Sequence, residues 1–183
     1  MRLTKVLAAL VVFSALAGCD SSNTAKLLEG AEKGDVKSQL ALSTAYSVGR
    51  SDLKKDPAEA LKWLTEAAEN GNSEAQYSLA VKYFVGRGDV IQSYSKAAYW
   101  YERALMSGNE EALYPIAINY QVGFGVEKDI VKAYAYLLVA QSKGYKIAID
   151  DDAKFTSRMT LSEREAASKM AEEINDKYLR KDK

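Results

Sequence analysis

Residues Glu74 to Gly108 read EAQYSLAVKYFVGRGDVIQSYSKAAYWYERALMSG, and the chain writes this stretch again on either side. Laid on itself, the pattern brings Gly34, Gly71, Gly108 and Gly144 into register at steps of 37, 37 and 36 residues. The same register aligns Tyr46, Tyr83 and Tyr120, and then Gly49, Gly86 and Gly123. It also aligns Ala60, Ala97 and Ala133, the aromatic trio Trp63, Trp100 and Tyr136, and Ala67, Ala104 and Ala140. A period of this length is the signature of a stacked repeat.

Each unit reads as two helices and two turns. Ala75, Leu79, Ala80 and Tyr83 recur at helical spacing and predict one buried face of a first helix. Gly86 follows the last periodic residue, where a left-handed helix stop is expected. The second helix is predicted to begin near Ser93, which corresponds to Asp56 and Asp129 in the flanking units. Ser and Asp are good N-caps, and Pro57 suits a first helical turn. Ala97, Trp100, Tyr101 and Ala104 form its inner face, and Gly108 ends it. Small alanines against large aromatics let neighbouring helices interlock, so truncating Trp63 or Trp100 to Ala is expected to cost about 3–5 kcal/mol.

Three stretches carry a family likeness: Gln76-Tyr77-Ser78-Leu79-Ala80, Tyr83-Phe84-Val85-Gly86-Arg87-Gly88 and Lys96-Ala97-Ala98-Tyr99-Trp100-Tyr101. They resemble the Sel-one-like repeat, a relative of the tetratricopeptide repeat. The third unit is closest to the pattern, with Tyr120-Gln121-Val122-Gly123-Phe124-Gly125-Val126-Glu127-Lys128-Asp129 leading into Lys132-Ala133. The first departs from it, because Gly49-Arg50-Ser51 lacks the second glycine, and the second has Ser93 where Asp is usual. The resemblance spans roughly residues 31 to 147. It implies an all-α fold, an α-solenoid of stacked helix-turn-helix repeats with a C-terminal capping helix, used as a protein-binding scaffold.

A chain of 183 residues with 48% hydrophobic residues suits one domain with a continuous core. Lys+Arg and Asp+Glu stand at 25 each, so no global charge favours nucleic acid as a partner. There is no histidine and only one cysteine, which removes the commonest metal ligand and general base and any internal disulfide.

Residues 1–18 read as a targeting segment. Arg2 and Lys5 precede an apolar run of 12 residues, Val6 to Ala17, too short to span a bilayer comfortably. The run ends in Leu16-Ala17-Gly18-Cys19, which resembles a bacterial lipobox. That resemblance implies acylation of Cys19 as the mature N-terminus and a palmitate-type anchor on the periplasmic side of the envelope. Asp20 resembles the sorting residue that keeps enterobacterial lipoproteins in the inner membrane. Loss of Arg2 and Lys5 leaves 23 cations against 25 anions, a net charge of −2. Residues 19–24 are expected to form a short tether, reaching about 17 Å if extended at roughly 3.4 Å per residue. It would hold the solenoid close to the membrane.

The solenoid is expected over residues 25–147. Ala25 to Lys33 reads as a truncated second helix, because Leu27 and Ala31 match Leu64 and Ala68. Unit one then places its helices near Lys37 to Val48 and Pro57 to Glu69. Unit three runs from about Glu111 to Lys143, with Pro115 in the first turn of a helix opened near Asn109 or Glu110, where its missing N–H is tolerable. Capping helices are expected over 148–183. Ala148 keeps the register of Ala75 and Ala112, but Asp152 stands where Leu79 and Ile116 stand, and a buried charge there argues against a fourth unit. A short helix is expected from about Ile147 to Phe155. Thr160-Leu161-Ser162-Glu163 reads as a capping box opening a last helix to about Leu179, with Ala166, Ala167, Met170 and Ile174 as its apolar stripe.

No constellation for catalysis emerges. Asp150, Asp151 and Asp152 lack the glycine turn and later glutamate of a calcium loop, and read as a solvated acidic helix start. Arg87-Gly88-Asp89 spells an adhesion tripeptide but sits in a repeat turn. Serines have no histidine to activate them. Some secreted relatives carry a disulfide in each repeat and are linked to β-lactam binding, but this chain lacks those cysteines. A cell-wall or β-lactam hydrolase is therefore the least favoured reading, and no cofactor or metal is expected.

The informative surface is the face of the first helices, which line the inside of such solenoids. Leu40, Thr44, Tyr77, Val81, Phe84, Tyr114, Ile118 and Gln121 are predicted to line a groove there, with Glu74, Ser47, Val48, Val85 and Val122 beside them. Recurring apolar groups outside the stack core mark binding, and tyrosines anchor interfaces. The alternative is that curvature buries them against neighbouring helices. A membrane-tethered periplasmic adaptor that holds a protein or peptide follows. The resemblance implies two roles, an immunity protein against a secreted lipase-type effector or a regulator of a membrane sensor kinase.

Overall fold

The computed structural model describes residues 20–50, 52–86 and 90–179, and among them every regular element is helical. The helices are α1 (Asp20–Glu32), α2 (Val36–Val48), α3 (Pro57–Glu69), α4 (Ser73–Val85) and α5 (Tyr94–Met106). A 3-10 turn (Glu110–Ala112) then leads into α6 (Leu113–Val122). After it come α7 (Ile130–Ser142), α8 (Lys146–Asp150), α9 (Asp152–Thr156) and α10 (Leu161–Tyr178). Each of α1 to α7 packs on the next, which is the stacking that the repeat predicts.

Caps recur with the period. Asp56, Ser93 and Asp129 open the second helices, each accepting hydrogen bonds from amides one turn on. Asp35, Asn72 and Asn109 do the same for the first helices. In unit three the first helix opens as a 3-10 turn. Pro115 offers no N–H to the Glu111 carbonyl and its ring crowds that carbonyl, so the α ladder starts late, at Leu113.

The core lies between the helix pairs and is built from the predicted classes. Ala75, Leu79, Ala80, Ala97, Trp100, Tyr101 and Ala104 are all buried, and Tyr83 is half-buried. A second, smaller cluster of Ala31, Leu42 and Trp63 sits at the N-terminal end, with Leu27, Leu28, Tyr46 and Leu53 packed on it. Buried glutamines tie units together. Gln39 donates to the Ala31 carbonyl at 3.2 Å and accepts from Asn70 at 3.1 Å, and Gln76 donates to the Ala68 carbonyl at 2.9 Å.

Four expectations need correction. Helix α1 begins at Asp20, so residues 20–24, read as an extended tether, are helical, and the half-unit starts five residues early. At about 1.5 Å per residue they reach less than half of the extended estimate. The single helix expected from Ile147 to Phe155 is two five-residue helices broken at Asp151. The acidic run is not uniformly solvated: Asp150 is exposed, but Asp151 is buried and Asp152 half-buried. Their neighbours compensate. The Tyr114 hydroxyl and the Lys154 ammonium donate to Asp151, and Tyr134 and Gln141 donate to Asp152. Finally, Ala166 is exposed. The capping box holds as predicted, with Thr160 accepting from the Glu163 amide and Glu163 accepting from the Thr160 amide. The stripe that α10 lays against α7 runs through Ala167, Met170, Ala171, Ile174 and Tyr178 instead.

Candidate functional site

The first helices α2, α4 and α6 present the same three rungs of side chains, one helical turn apart. The rung nearest their N-terminal ends is Leu40, Tyr77 and Tyr114. All three are half-buried against the core. Tyr77 meets Tyr101 edge to face at 5.6 Å between ring centroids, a favourable aromatic geometry. Burial raises the Tyr77 hydroxyl pKa, and the Glu111 carboxylate adds to the rise. Tyr114 is held from the C-terminal side, its hydroxyl donating to Asp151 at 2.5 Å. Burial, then that hydrogen bond and charge, push its pKa up to about 12.

The middle rung is Thr44, Val81 and Ile118. Thr44 is exposed, but its hydroxyl donates to the Leu40 carbonyl at 3.0 Å, so what it presents is largely its methyl group. Val81 and Ile118 are half-buried. The last rung is Val48, Val85 and Val122, which occupy one register position in three units and stay 69%, 43% and 50% exposed. Gln121 is half-buried beside it.

Phe84 is the groove candidate with the clearest packing role. Its ring meets Tyr94 at 5.4 Å and Phe124 at 5.7 Å, and Tyr94 and Phe124 stack at 4.6 Å. The trio joins α4 and α5 of unit two to the turn of unit three. Nothing at sequence level singled out Tyr94 or Phe124 as partners for it. Gln39 and Gln76, repeated at the 37-residue step, were a signal for inter-unit hydrogen bonds.

The face is apolar with hydroxyl punctuation, and its tyrosines are pushed away from ionisation, so it offers grip and no activated nucleophile. Among the described residues no group of three or more His, Cys, Asp or Glu gathers to hold a metal ion. Cys19 and Arg87-Gly88-Asp89 lie outside the described residues. Asp20 opens α1, and its side chain also lies outside them. No described helix is long and apolar enough to cross a membrane.

The Sel1 repeat family pattern matches three consecutive segments, residues 36–72, 73–109 and 110–145. Those bounds fall one residue after Asp35, Asn72 and Asn109, the residues that cap the first helices. A Sel1 repeat protein from Oxalobacter formigenes of known crystal structure is 35% identical, with a TM-score of 0.64 over 72% of this chain and 98% of that one. A protective antigen present in uropathogenic Escherichia coli strains, displaying an SLR fold, shares 21% identity at a TM-score of 0.56. That match covers 90% of this chain, which spans 43% of the larger antigen, and speaks for fold alone. No curated protein matches the chain.

Proposed function

This chain belongs to the Sel1 repeat family, and from that premise we propose that it is a non-enzymatic adaptor that holds a partner protein on the face of α2, α4 and α6. The fold is that of a protein-interaction scaffold. The observation that carries the reading is the ladder of Val48, Val85 and Val122. An exposed valine recurs in three successive units although the residue before it changes from Ser47 to Phe84 to Gln121, above two rungs that are half-buried except at Thr44. Burying such side chains against a partner contributes about 25 cal/mol per Å² of apolar area, and half-buried tyrosines beneath them supply rigid anchors.

The apolar run before Cys19 and the lipobox-like Leu16-Ala17-Gly18-Cys19 support placing this adaptor on the periplasmic side of a membrane, held by an acylated Cys19. Of the two roles that the resemblance implies, a tethered inhibitor of a secreted lipase-type effector is the one this reading adopts, because a partner arriving at the bilayer meets its binder there.

Tyr77 and Tyr114 are poor choices for a test, since Tyr77 packs on Tyr101 and Tyr114 is bonded to Asp151. Exposed valines are better. Val85→Glu with Val122→Glu is expected to leave the melting temperature within about 2 °C, as exposed substitutions do. The pair should abolish retention of the protein that the unaltered chain captures from detergent-solubilised membranes. Identical capture by both forms would refute the face as the binding site.

A further inference from the structure

Helix α1 joins the stack as a second-type helix, with Leu27 and Ala31 in the places that Leu64 and Ala68 occupy in α3. Its N-terminus therefore points to the edge where α3, α5 and α7 also begin. That edge carries the three turns between first and second helices. Two features fix it there: the Thr24 hydroxyl donates to the Asp52 carboxylate in the turn of unit one, and Leu53 of the same turn packs on the cluster of Ala31, Leu42 and Trp63 that Leu27 and Leu28 also cover.

This geometry says which edge a membrane must meet. The helix rises about 6 Å from Thr24 back to Asp20, and Cys19 is one Cα–Cα step of about 3.8 Å further. The residue that would enter the bilayer is thus within about 10 Å of Thr24 and the turn it touches, close to the Debye length of about 8 Å at physiological ionic strength. In that turn Arg50, Lys54 and Lys55 are all exposed, and none forms an ion pair among the described residues. The neighbouring carboxylates accept from neutral donors, Asp52 from Thr24 and Asp56 from the amides of Ala58 and Glu59 that it caps, so residues 50–56 keep a net charge of +1, three cations against two carboxylates. Only unit one, on which α1 packs, has this trio; the corresponding turn of unit three sets Glu127 beside Lys128. Further along the same edge, Ile91 in the turn of unit two is 87% exposed. The opposite edge mixes signs, with Glu69, Glu74, Glu110 and Glu111 beside Lys33, Lys37, Lys143 and Lys146, and Lys143 pairs with Glu110 at 3.1 Å.

We propose that the edge bearing the first-to-second-helix turns lies against an anionic phospholipid surface, with Arg50, Lys54 and Lys55 on the headgroup phosphates and Ile91 at the boundary with the acyl chains. The proposal rests on the membrane tether of the preceding subsection. Lysines and arginines beside an anionic leaflet add attraction that a lone lipid anchor lacks. Val48, Val85 and Val122 end the first helices next to this edge, so a partner seated on them is gripped beside the bilayer.

The test uses the full chain, purified as the lipoprotein and reconstituted in vesicles of phosphatidylethanolamine with phosphatidylglycerol or of phosphatidylcholine alone. Ile91→Cys carries an environment-sensitive dye, and Ile147→Cys, exposed near the far edge, is the control. With Cys19 acylated, the new thiol takes the only label. A blue shift at position 91 is expected on the phosphatidylglycerol vesicles, with none at position 147. It should be lost at high salt and in the triple variant Arg50→Gln, Lys54→Gln, Lys55→Gln. A water-like emission at position 91 on protein whose mass shows an acylated Cys19 would overturn the orientation and leave the tether standing. So would an equal shift at position 147 or one that ignores the triple variant. Unacylated protein that stays off vesicles would overturn the tether and the orientation together.

Discussion

Gln39 and Gln76 occupy the same register position, and only one is fully satisfied. Gln39 accepts from Asn70 across the helix interface, but the residue in Asn70's place in the next unit is Ser107, too short to reach, and the Gln76 carbonyl oxygen is buried with no partner among the described residues. The backbone there suits the longer side chain: Ser107 has φ −88° and ψ 9°, Asn70 φ −74° and ψ 10°. Ser107→Asn is therefore expected to stabilise the fold by about 1 kcal/mol, read as a higher urea midpoint at unchanged slope. Asn70→Ser should lower it by a similar amount.

At the scale of elements, the turns between helices and the C-terminal cap carry the contrasts. Gly125 has φ +73°, and a Cβ there would lie 2.1 Å from the Tyr94 carbonyl oxygen, so Phe124 can stack on Tyr94 only because the next residue has no side chain. Gly108, at φ +87°, has open space around it. Gly108→Ala is expected to cost about 1 kcal/mol of backbone strain, and Gly125→Ala about 2 kcal/mol or more, because backbone must move as well. Comparison of the two denaturation midpoints checks this. The cap depends on Asp151, whose carboxyl the Lys154 ammonium and the Tyr114 hydroxyl hold below its usual pKa of 3.8. A depressed carboxylate contributes stability above its ordinary pKa and loses it as pH falls through the lowered value. Unfolding of the chain should therefore become easier from about pH 4 downward. Asp151→Asn should flatten that acid limb while lowering stability at neutral pH, as urea melts across the range would show.

Over the whole molecule the tyrosines set the alkaline limit. Burial foremost pushes Tyr101, Tyr114 and Tyr120 from 10.0 up to about 12, with Tyr77, Asp151 and Glu102 respectively adding to the rise. A raised phenol contributes its full stability below the unfolded value and loses it as pH climbs through the folded one. Tyrosinate absorbance should thus appear together with loss of helix between about pH 10 and 12, and Tyr101→Phe should weaken that coupling. The recurring glycines and alanines, with Asp56, Ser93 and Asp129 as caps, were enough to predict seven helices of the stack, because caps and 3.6-residue periodicity act within one or two turns of chain. What the string could not disclose was every partner more than a helix away. Asp151 reads as a solvent-loving acid and is buried because Tyr114 lies 37 residues before it. Phe84 reads as a groove residue and packs with Phe124 of the next unit. Residues 20–24 read as a tether and join α1, where Thr24 meets Asp52. Amino-acid order alone determined the repeat, its helices and its caps. The tertiary structure decided which apolar residues stay uncovered and which edge the start of α1 faces, because burial depends on residues that only stacking brings together.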